Sequence, residues 1–284
     1  MEEHELERFY SIYPWVEDPF SEEGRRRFES VRAVMARLLQ HPWVRDVVVL
    51  RDAVRVLDVC GGTGIAGVAM AKELARRGKS VELTVVDLRG SALEKAREFS
   101  MHELGWGART LLLDARELHR SGVEADIALL WGLTTSHFSP WDLLRVYAGL
   151  VHVLTEYGVA VVEEADRHFT IFMRMGYRWV LPEHASGKRV VLTVHSRHDP
   201  LTGYTYRVAL DLLRGEAAEH RVYFWDIAGS AALAWVFFQD IDFVEGDSPY
   251  RGYVVARGPR RSVSPGDIVQ GSPSILRKAL GQPS

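Results

Sequence analysis

The sequence has 284 residues, of which 47% are hydrophobic and 26% are charged, and its formal net charge at pH 7 is −3. A chain of this length and composition can bury one sizeable core. Binding of duplex nucleic acid needs a clustered excess of Lys and Arg, so the slightly acidic balance argues against a broad nucleic-acid surface. The single cysteine, Cys60, excludes an intrachain disulfide and suits a reducing compartment.

The sequence lacks a run of 18 uninterrupted apolar residues, and its start, Met1-Glu2-Glu3-His4, is too acidic and polar for a signal peptide. We therefore expect a cytoplasmic protein that has no membrane partner. The sequence leaves a monomer and a homodimer both open.

The first predicted element is a helical extension over residues 1–50. It carries Tyr10 and Tyr13 among further aromatic residues and prolines. This composition suits either a hydrophobic strap on the domain or a lid over the bound cofactor, in which Tyr10 and Tyr13 would contact the cofactor, and both interpretations stay open. Residues 25–27 are three arginines ahead of an amphipathic helix, which favours a solvated basic face.

A β-branched run ends at Val59 and continues as Cys60-Gly61-Gly62-Thr63-Gly64 before a helical segment. Glycines let the backbone adopt positive φ and let a ligand approach the main chain, and the following helix presents unpaired N–H groups. The pattern predicts a nucleotide-binding loop.

Two kinds of nucleotide fit this loop. Residues 62–67 match G-x-G-x-x-G, and Asp87 lies 20 residues beyond Gly67, as in a dinucleotide site. Asp58 favours a different ligand, because a carboxylate there would repel a pyrophosphate and attract an ammonium group.

The motif Asp58-x-Cys60-x-Gly62-x-Gly64 resembles the first motif of the class I, Rossmann-like S-adenosylmethionine-dependent methyltransferases, acidic-x-Gly-x-Gly-x-Gly. Cys60 departs from the pattern by replacing the first glycine. The resemblance covers about residues 54–165. It implies that S-adenosylmethionine is the cofactor, that S-adenosylhomocysteine is the product, and that the loop residues Asp58, Cys60, Gly61, Gly62 and Gly64 bind them.

Later strand ends extend the resemblance. A run from Leu83 ends at Asp87-Leu88, where the family's acidic residue binds the ribose hydroxyls, and Ser91-x-x-Glu94 predicts a capping box for the next helix. Asp114-Ala115 resembles the third motif, which implies contact with the adenine amino group. Trp131 ends the predicted fourth strand, and the resemblance together with its position adds it to the cofactor site.

Strands that alternate with helices at this spacing predict an α/β fold with a doubly wound, mostly parallel sheet and with ligands at the carboxyl ends of the strands. After the fifth strand the pattern predicts an inserted antiparallel meander of three strands that would roof the substrate. The expected divisions are a methyltransferase domain over 51–257, the insertion over about 189–225 with strands at 189–196, 204–213 and 221–225, and a loosely ordered tail over 258–284.

The resemblance implies in-line transfer of a methyl group to a small-molecule acceptor, for which the protein supplies proximity and alignment. A neutral amine acceptor needs no base, whereas a hydroxyl acceptor would need His137, His168 or one of Glu163 and Glu164. We expect one of these two glutamates to face the pocket and the other solvent. His195-x-x-His198 has the spacing of a metal site, but the two side chains would splay apart, so no metal is expected.

Two further functions stay open at this stage. The G-x-G-x-x-G match allows an NAD(P)-dependent oxidoreductase. A methyltransferase-like binding or scaffold protein without chemistry would carry the same cofactor motifs.

Overall fold

The structure is a computed structural model that describes residues 3–270 and 273–279. Its helices are α1 Glu3–Ile12, α2 Glu22–Leu38, α3 Pro42–Val49, α4 Ile65–Ala75, α5 Gly90–Leu104, α6 Pro140–Val153, α7 Ile227–Phe237, α8 Pro265–Gln270 and α9 Ser274–Ala279. Its strands are β1 Ala53–Val59, β2 Ser80–Asp87, β3 Arg109–Leu112, β4 Ala125–Leu130, β5 Leu154–Ala165, β6 Val180–Ala185, β7 Val190–His198, β8 Thr205–Asp211, β9 Glu216–Val222, β10 Phe238–Ser248 and β11 Arg251–Pro259.

The larger sheet has seven strands in the order β10-β11-β5-β4-β1-β2-β3. Strands β1 to β5 run parallel to one another, whereas β11 is antiparallel to β5 and β10 is antiparallel to β11. The chain moves from β1 outward to β3 and then returns to β4 beside β1. Ligands bind at the carboxyl ends of the strands beside such a reversal of strand order.

Helices cover both faces of this sheet. One apolar layer packs α2 to α5 on the sheet and contains fully buried residues such as Met35 and Phe99. The opposite layer packs α6 and α7, with Tyr147 and Phe237 buried. The near-continuous apolar run of β4, in which every residue is buried, follows from this two-sided cover.

Local signals explain most helix ends. The side chains of Ser139 and Asp226 accept backbone N–H groups at the starts of α6 and α7, and Gly105 ends α5 with φ 80°. The predicted capping box at Ser91 is wrong. Helix α5 begins at Gly90, and the Ser91 hydroxyl donates to Glu7 because the N-terminal segment lies beside it.

The predicted antiparallel insertion is present as a separate sheet in the order β6-β7-β8-β9. It has four strands over 180–222, and its last strand ends before residues 223–225, so the predicted third strand was placed too late in the chain. Sequence reasoning also missed β6, which contains Pro182 and lies at the sheet edge, where a missing N–H is tolerated. Strand β10 was missed as well, because acidic residues interrupt its apolar positions.

The described part of the tail is more ordered than expected. Strand β11 continues to Pro259, α8 and α9 follow, and Val263 and Ile268 pack against the α6–α7 layer. The rest of the predicted loose tail, residues 271–272 and 280–284, lies outside the described residues. Within the described ranges, the helices are all too short or too polar to cross a membrane.

Candidate active site

A cleft of about 1030 Å³, counted out to its open mouth, lies at the carboxyl ends of β1 to β4. Its walls come from four strand ends, the glycine turn and the N-terminal segment. Most of the residues expected at the site line it: Tyr10, Asp58, Cys60, Gly61, Gly62, Asp87, Leu88, Asp114, Ala115, Trp131 and His137. Gly64, Tyr13, Glu163 and His168 are not among its lining residues.

The glycine turn adopts the backbone that its composition predicted. Gly62 has φ 54° and Gly64, the N-cap of α4, has φ 77°. Cys60 has φ 55°, so the non-glycine residue of the motif still adopts the left-handed conformation, which costs a residue with a Cβ about 1–2 kcal/mol. A Cβ at Gly61 would lie 2.6 Å from the Asp58 carboxyl carbon, so only glycine fits beside that side chain.

Asp58 is 0% exposed at the end of β1. The Gly67 N–H, in the first turn of α4, donates to its Oδ2 at 2.7 Å, whereas Oδ1 has no partner among the described residues. Burial raises the pKa of Asp58 to about 7, against the effect of the Gly67 hydrogen bond. A buried carboxylate oxygen without a partner on a cleft wall suits a cationic ligand.

Asp87, at the end of β2, holds the glycine turn as well as facing the cleft. Its Oδ2 accepts the Gly62 N–H at 2.8 Å, and its Oδ1 accepts the Arg89 N–H at 3.0 Å. The Arg89 side chain also donates to both carboxylate oxygens of Glu17, at 2.7 and 2.9 Å. Arg89 thus joins the N-terminal segment, through its ion pair with Glu17, to Asp87, the predicted ribose-binding residue.

Asp114 follows β3 and begins a short 3₁₀ helix by accepting the Arg116 N–H at 2.9 Å. Although burial raises the pKa of Asp114, the Arg116 guanidinium outweighs that effect and holds the pKa below its usual value. Asp114 is therefore an ionised acceptor at neutral pH, as contact with an adenine amino group requires.

The end of β4 is held in place by β5. Glu163 Oε2 accepts the Gly132 N–H at 2.8 Å, and its other oxygen accepts from Arg251. Glu164 accepts from Thr135 and Arg167. Both glutamates are buried, so the expectation that one of them faces solvent is wrong. Neither lines the cleft, and both are occupied in positioning the loop after β4.

A second cavity of about 1230 Å³, also counted out to its open mouth, adjoins the cleft beneath the four-stranded sheet. Tyr10, Trp15, Gly132 and His137 line both spaces and so form a common wall. The Tyr10 hydroxyl lies 3.1 Å from His137 Nε2, while His137 Nδ1 is buried and has no partner among the described residues. Burial, with smaller contributions from Arg167 and Arg89, lowers the pKa of His137 to about 4, so the imidazole is neutral at pH 7.

Of the three candidate bases, His137 alone lines either space. His168 lies in the segment after β5, its side chain is 57% exposed, and its Nδ1 is 3.3 Å from Asp226. It lines neither the cleft nor the second cavity. Tyr13, expected at the cofactor, lines the second cavity, where its hydroxyl is 3.4 Å from Glu183.

The cleft residues that sequence reasoning missed include Trp15, Glu17, Arg27 and Arg89. Arg27 was assigned to a solvated basic face, but it donates to the Val16 carbonyl and lies 4.7 Å from the Trp15 ring centroid. Arg25 and Arg26 are exposed as expected. Of these four residues, only Arg27 had a signal in the sequence that it belongs to the site. It precedes the buried Phe28 and therefore lies near the core edge of α2.

The N-terminal segment has features of both a strap and a lid. Phe9 and Ile12 are buried against β7, β8 and β9, as a strap would be. Tyr10 lies over the cleft with its ring centroid 4.2 Å from the Arg89 guanidinium carbon, and Thr63 of the glycine turn donates to the Glu17 carbonyl. The role of a lid stays a proposal, and its test has to separate the two functions.

Deletion of residues 1–20 is expected to lower both the Tm and the affinity for S-adenosylhomocysteine. Loss of the buried Phe9 and Ile12 should lower the Tm by about 5–15 °C. Glu17→Gln should lower the affinity alone, because it weakens the Arg89 ion pair without removing apolar contacts. Thermal unfolding and calorimetry measure both quantities. A deletion that lowers the Tm but leaves the affinity unchanged would make the segment a strap only, and Tyr10 would leave the cofactor site.

Comparison with known proteins identifies the domain. Residues 56–158, which contain the glycine turn and the first four strand ends, match the family model described as a methyltransferase domain. These residues form a methyltransferase domain. This confirms the predicted family, enzyme class and cofactor, and it does not favour the nicotinamide alternative. The comparison with curated protein sequences found no match.

Solved structures share the fold of this methyltransferase over most of its length. An S-adenosylmethionine-dependent methyltransferase from Clostridium acetobutylicum ATCC 824 has a TM-score of 0.62 at 12% identity, over 90% of this chain and 99% of that one. A sugar N-methyltransferase from Streptoalloteichus sp. ATCC 53650 has a TM-score of 0.57 at 14% identity, over 82% of this chain and 88% of that one. An S-adenosylmethionine-bound amino pentose methyltransferase from Micromonospora echinaspora has a TM-score of 0.51 at 20% identity, over 83% of this chain and 95% of that one. These likenesses confirm the predicted fold class.

Proposed function

We propose that this methyltransferase transfers a methyl group to a small molecule held in the second cavity. The observation that carries the proposal is the wall shared by the two spaces, because a cofactor in the cleft and an acceptor beneath the four-stranded sheet would meet at Tyr10 and His137. Residues of β6 to β9 line one side of the second cavity, where they would help to exclude water from the meeting point.

The residues of the cleft fit S-adenosylmethionine part by part. Asp58, whose Oδ1 has no partner within residues 3–270 and 273–279, would hold the ammonium group, and Asp87 would hold the ribose. Asp114 would accept from the adenine amino group. Tyr10 and Trp15 present aromatic rings at the wall toward the acceptor, where a cationic sulfonium is attracted to their faces. When bound, the cofactor supplies an activated methyl group together with its own leaving group.

The protein's contribution to this reaction is alignment and proton handling. The wall between the two spaces would direct the acceptor atom along the line of the breaking bond, which is the main source of rate in such displacements. His137 is neutral and lies on the wall between the two spaces, so it can take a proton from a hydroxyl acceptor. A neutral amine acceptor would use the same alignment without His137.

Calorimetry with S-adenosylmethionine, S-adenosylhomocysteine and NAD tests the cofactor assignment. The two sulfur nucleotides are expected to bind in the micromolar range, and NAD is expected to give no heat, because Asp58 repels a pyrophosphate. Micromolar NAD binding without a response to S-adenosylhomocysteine would overturn the proposal.

Two glycine variants place the binding in the cleft. Gly62→Ala should weaken S-adenosylhomocysteine at least about tenfold, since a Cβ there would lie 3.2 Å from Arg89 Nη2 on the cleft wall. Gly78→Ala is the matched control, because Gly78 also has positive φ, 77°, but nothing lies within 4 Å of its added Cβ. Both changes carry the same backbone strain of about 1–2 kcal/mol, so only the difference between them reports on the ligand.

We further propose a reducing, cytoplasmic setting for this methyltransferase. The support is the sole cysteine, Cys60, which is free and forms part of the cleft, where oxidation would interfere with ligand binding. Cell fractionation tests the location, and light scattering of the purified protein decides between a monomer and a homodimer.

A further inference from the structure

Aromatic rings form two sides of the second cavity. Phe9 and Tyr13 stack with ring centroids 5.0 Å apart on the α1 side, and Phe9 also lies 4.2 Å from the His220 ring. On the other side Tyr177 and Phe224 meet edge to face at 6.1 Å. Walls of this kind favour flat ring systems, because aromatic pairs gain energy from offset stacking and edge-to-face contact.

Three of the four charged residues that line the cavity wall are engaged by the protein, and the fourth, Arg178, is exposed. Arg207 is 4% exposed and donates to the Thr193 hydroxyl and carbonyl, the Tyr177 hydroxyl and the Arg178 carbonyl. The Thr193 hydroxyl in turn donates to Glu183 Oε1 at 2.6 Å, so it bridges the two charges. Arg167 pairs with Glu164 at 3.1 Å. A charged acceptor would therefore find three of its four possible counter-charges engaged.

The two histidines of the cavity are uncharged. Burial lowers the pKa of His220 to about 3 and that of His137 to about 4, and nearby arginines act in the same direction. Ser136 is also engaged, since its hydroxyl donates to the Leu133 carbonyl. A polyhydroxylated ligand would leave several hydroxyl groups buried without partners, each costing about 1–3 kcal/mol.

We propose that the acceptor is an uncharged, planar aromatic molecule whose hydroxyl group lies against His137. This rests on the proposed function and names the substrate class of the same site. The phenolic oxygen forms a bond to the methyl carbon while the carbon–sulfur bond breaks and its electron pair goes to sulfur. The hydroxyl proton goes to His137 and then to solvent, so the products are a methyl ether, the neutral thioether and one proton.

Binding of 2-naphthol to the protein saturated with S-adenosylhomocysteine tests this substrate class. Calorimetry is expected to show 2-naphthol binding at least tenfold tighter than naphthalene-2-carboxylate, which adds a charge, and glucosamine, which lacks aromatic rings. With S-adenosylmethionine present, mass spectrometry should detect the methyl ether of 2-naphthol.

Variants of one wall residue locate the binding. Phe224→Ala should weaken 2-naphthol at least tenfold, and Phe224→Leu, which keeps the apolar volume, should weaken it less while preserving the Tm. Trp235→Ala is the control, because Trp235 is 57% exposed on α7 and lines neither space. Both Phe224 variants should bind S-adenosylhomocysteine as the wild type does.

The outcomes separate the two proposals. Normal S-adenosylhomocysteine binding with tighter binding of glucosamine or of the carboxylate, or with 2-naphthol binding that Phe224→Ala leaves unchanged, would overturn the aromatic acceptor and leave the methyltransferase assignment in place. Loss of S-adenosylhomocysteine binding in the wild-type protein would overturn both.

Discussion

Asp58→Asn is expected to weaken S-adenosylhomocysteine by about 10- to 150-fold at pH 8, the loss of about 1.5–3 kcal/mol that accompanies removal of a charge-assisted hydrogen bond. The reason is the pairing of a buried carboxylate with a ligand ammonium group. Asparagine keeps the size of the side chain and an oxygen for the Gly67 N–H, so the glycine turn stays in place. Calorimetry of the two proteins measures the difference.

Asp58 also makes the affinity for S-adenosylhomocysteine depend on pH, and its pKa fixes the direction of that dependence. The pKa of Asp58 is about 7 in the folded protein, above the value of about 3.9 for an unfolded aspartate. Its contribution to the free energy of unfolding is therefore fully present below pH 4 and is lost as the pH rises through 7. A bound ammonium group favours the ionised form, so the affinity should rise from pH 5.5 to 8, by up to about tenfold per unit below 7.

Asp126→Asn is the matched control for this prediction. Asp126 is equally buried, at the start of β4, and accepts from Arg55 and Thr155 away from the cleft. Its replacement should lower the Tm and leave the ligand affinity and its pH dependence unchanged. Full affinity and an unchanged pH dependence in Asp58→Asn would mean that Asp58 serves only to hold the first turn of α4.

His137→Gln is expected to lower kcat for a hydroxyl acceptor by about 10²- to 10⁴-fold, the usual contribution of a positioned base. Glutamine can accept the Tyr10 hydrogen bond but cannot take a proton, so the affinity for S-adenosylhomocysteine should change little. Initial rates with methyl-labelled S-adenosylmethionine measure the effect. Because burial lowers the pKa of His137 to about 4, the wild-type kcat should not decline as the pH falls from 8 to about 5.

His168→Gln is the control, since His168 is exposed and outside both spaces. Its kcat should match that of the wild type. An unchanged kcat in His137→Gln would show that the reaction needs no base, as for an amine that binds in its neutral form, and would remove His137 from the mechanism.

Sequence patterns that act over a few residues determined much of this protein. The glycine turn after β1, the acidic residues at the ends of β1 and β2, and the alternation of buried strands with helices predicted the parallel sheet and the cofactor cleft. These features are local, because backbone conformation at a turn and the burial period of a strand depend mainly on neighbouring residues. The strand-end and glycine-turn residues that line the cleft were therefore predictable from single motifs.

Other features of the cleft and the second cavity were decided by the tertiary structure alone. Tyr10 meets His137 across 127 residues, and Arg89 meets Glu17 across 72, so no local pattern pairs them. Packing also decided between candidates that looked equivalent in sequence: it buried Glu163 behind Gly132, left His168 exposed and placed His137 on the wall between two cavities. The physical reason is that burial and pairing depend on segments that only the folded chain brings together. Burial and pairing in turn set the protonation state of a side chain and the groups that it can contact.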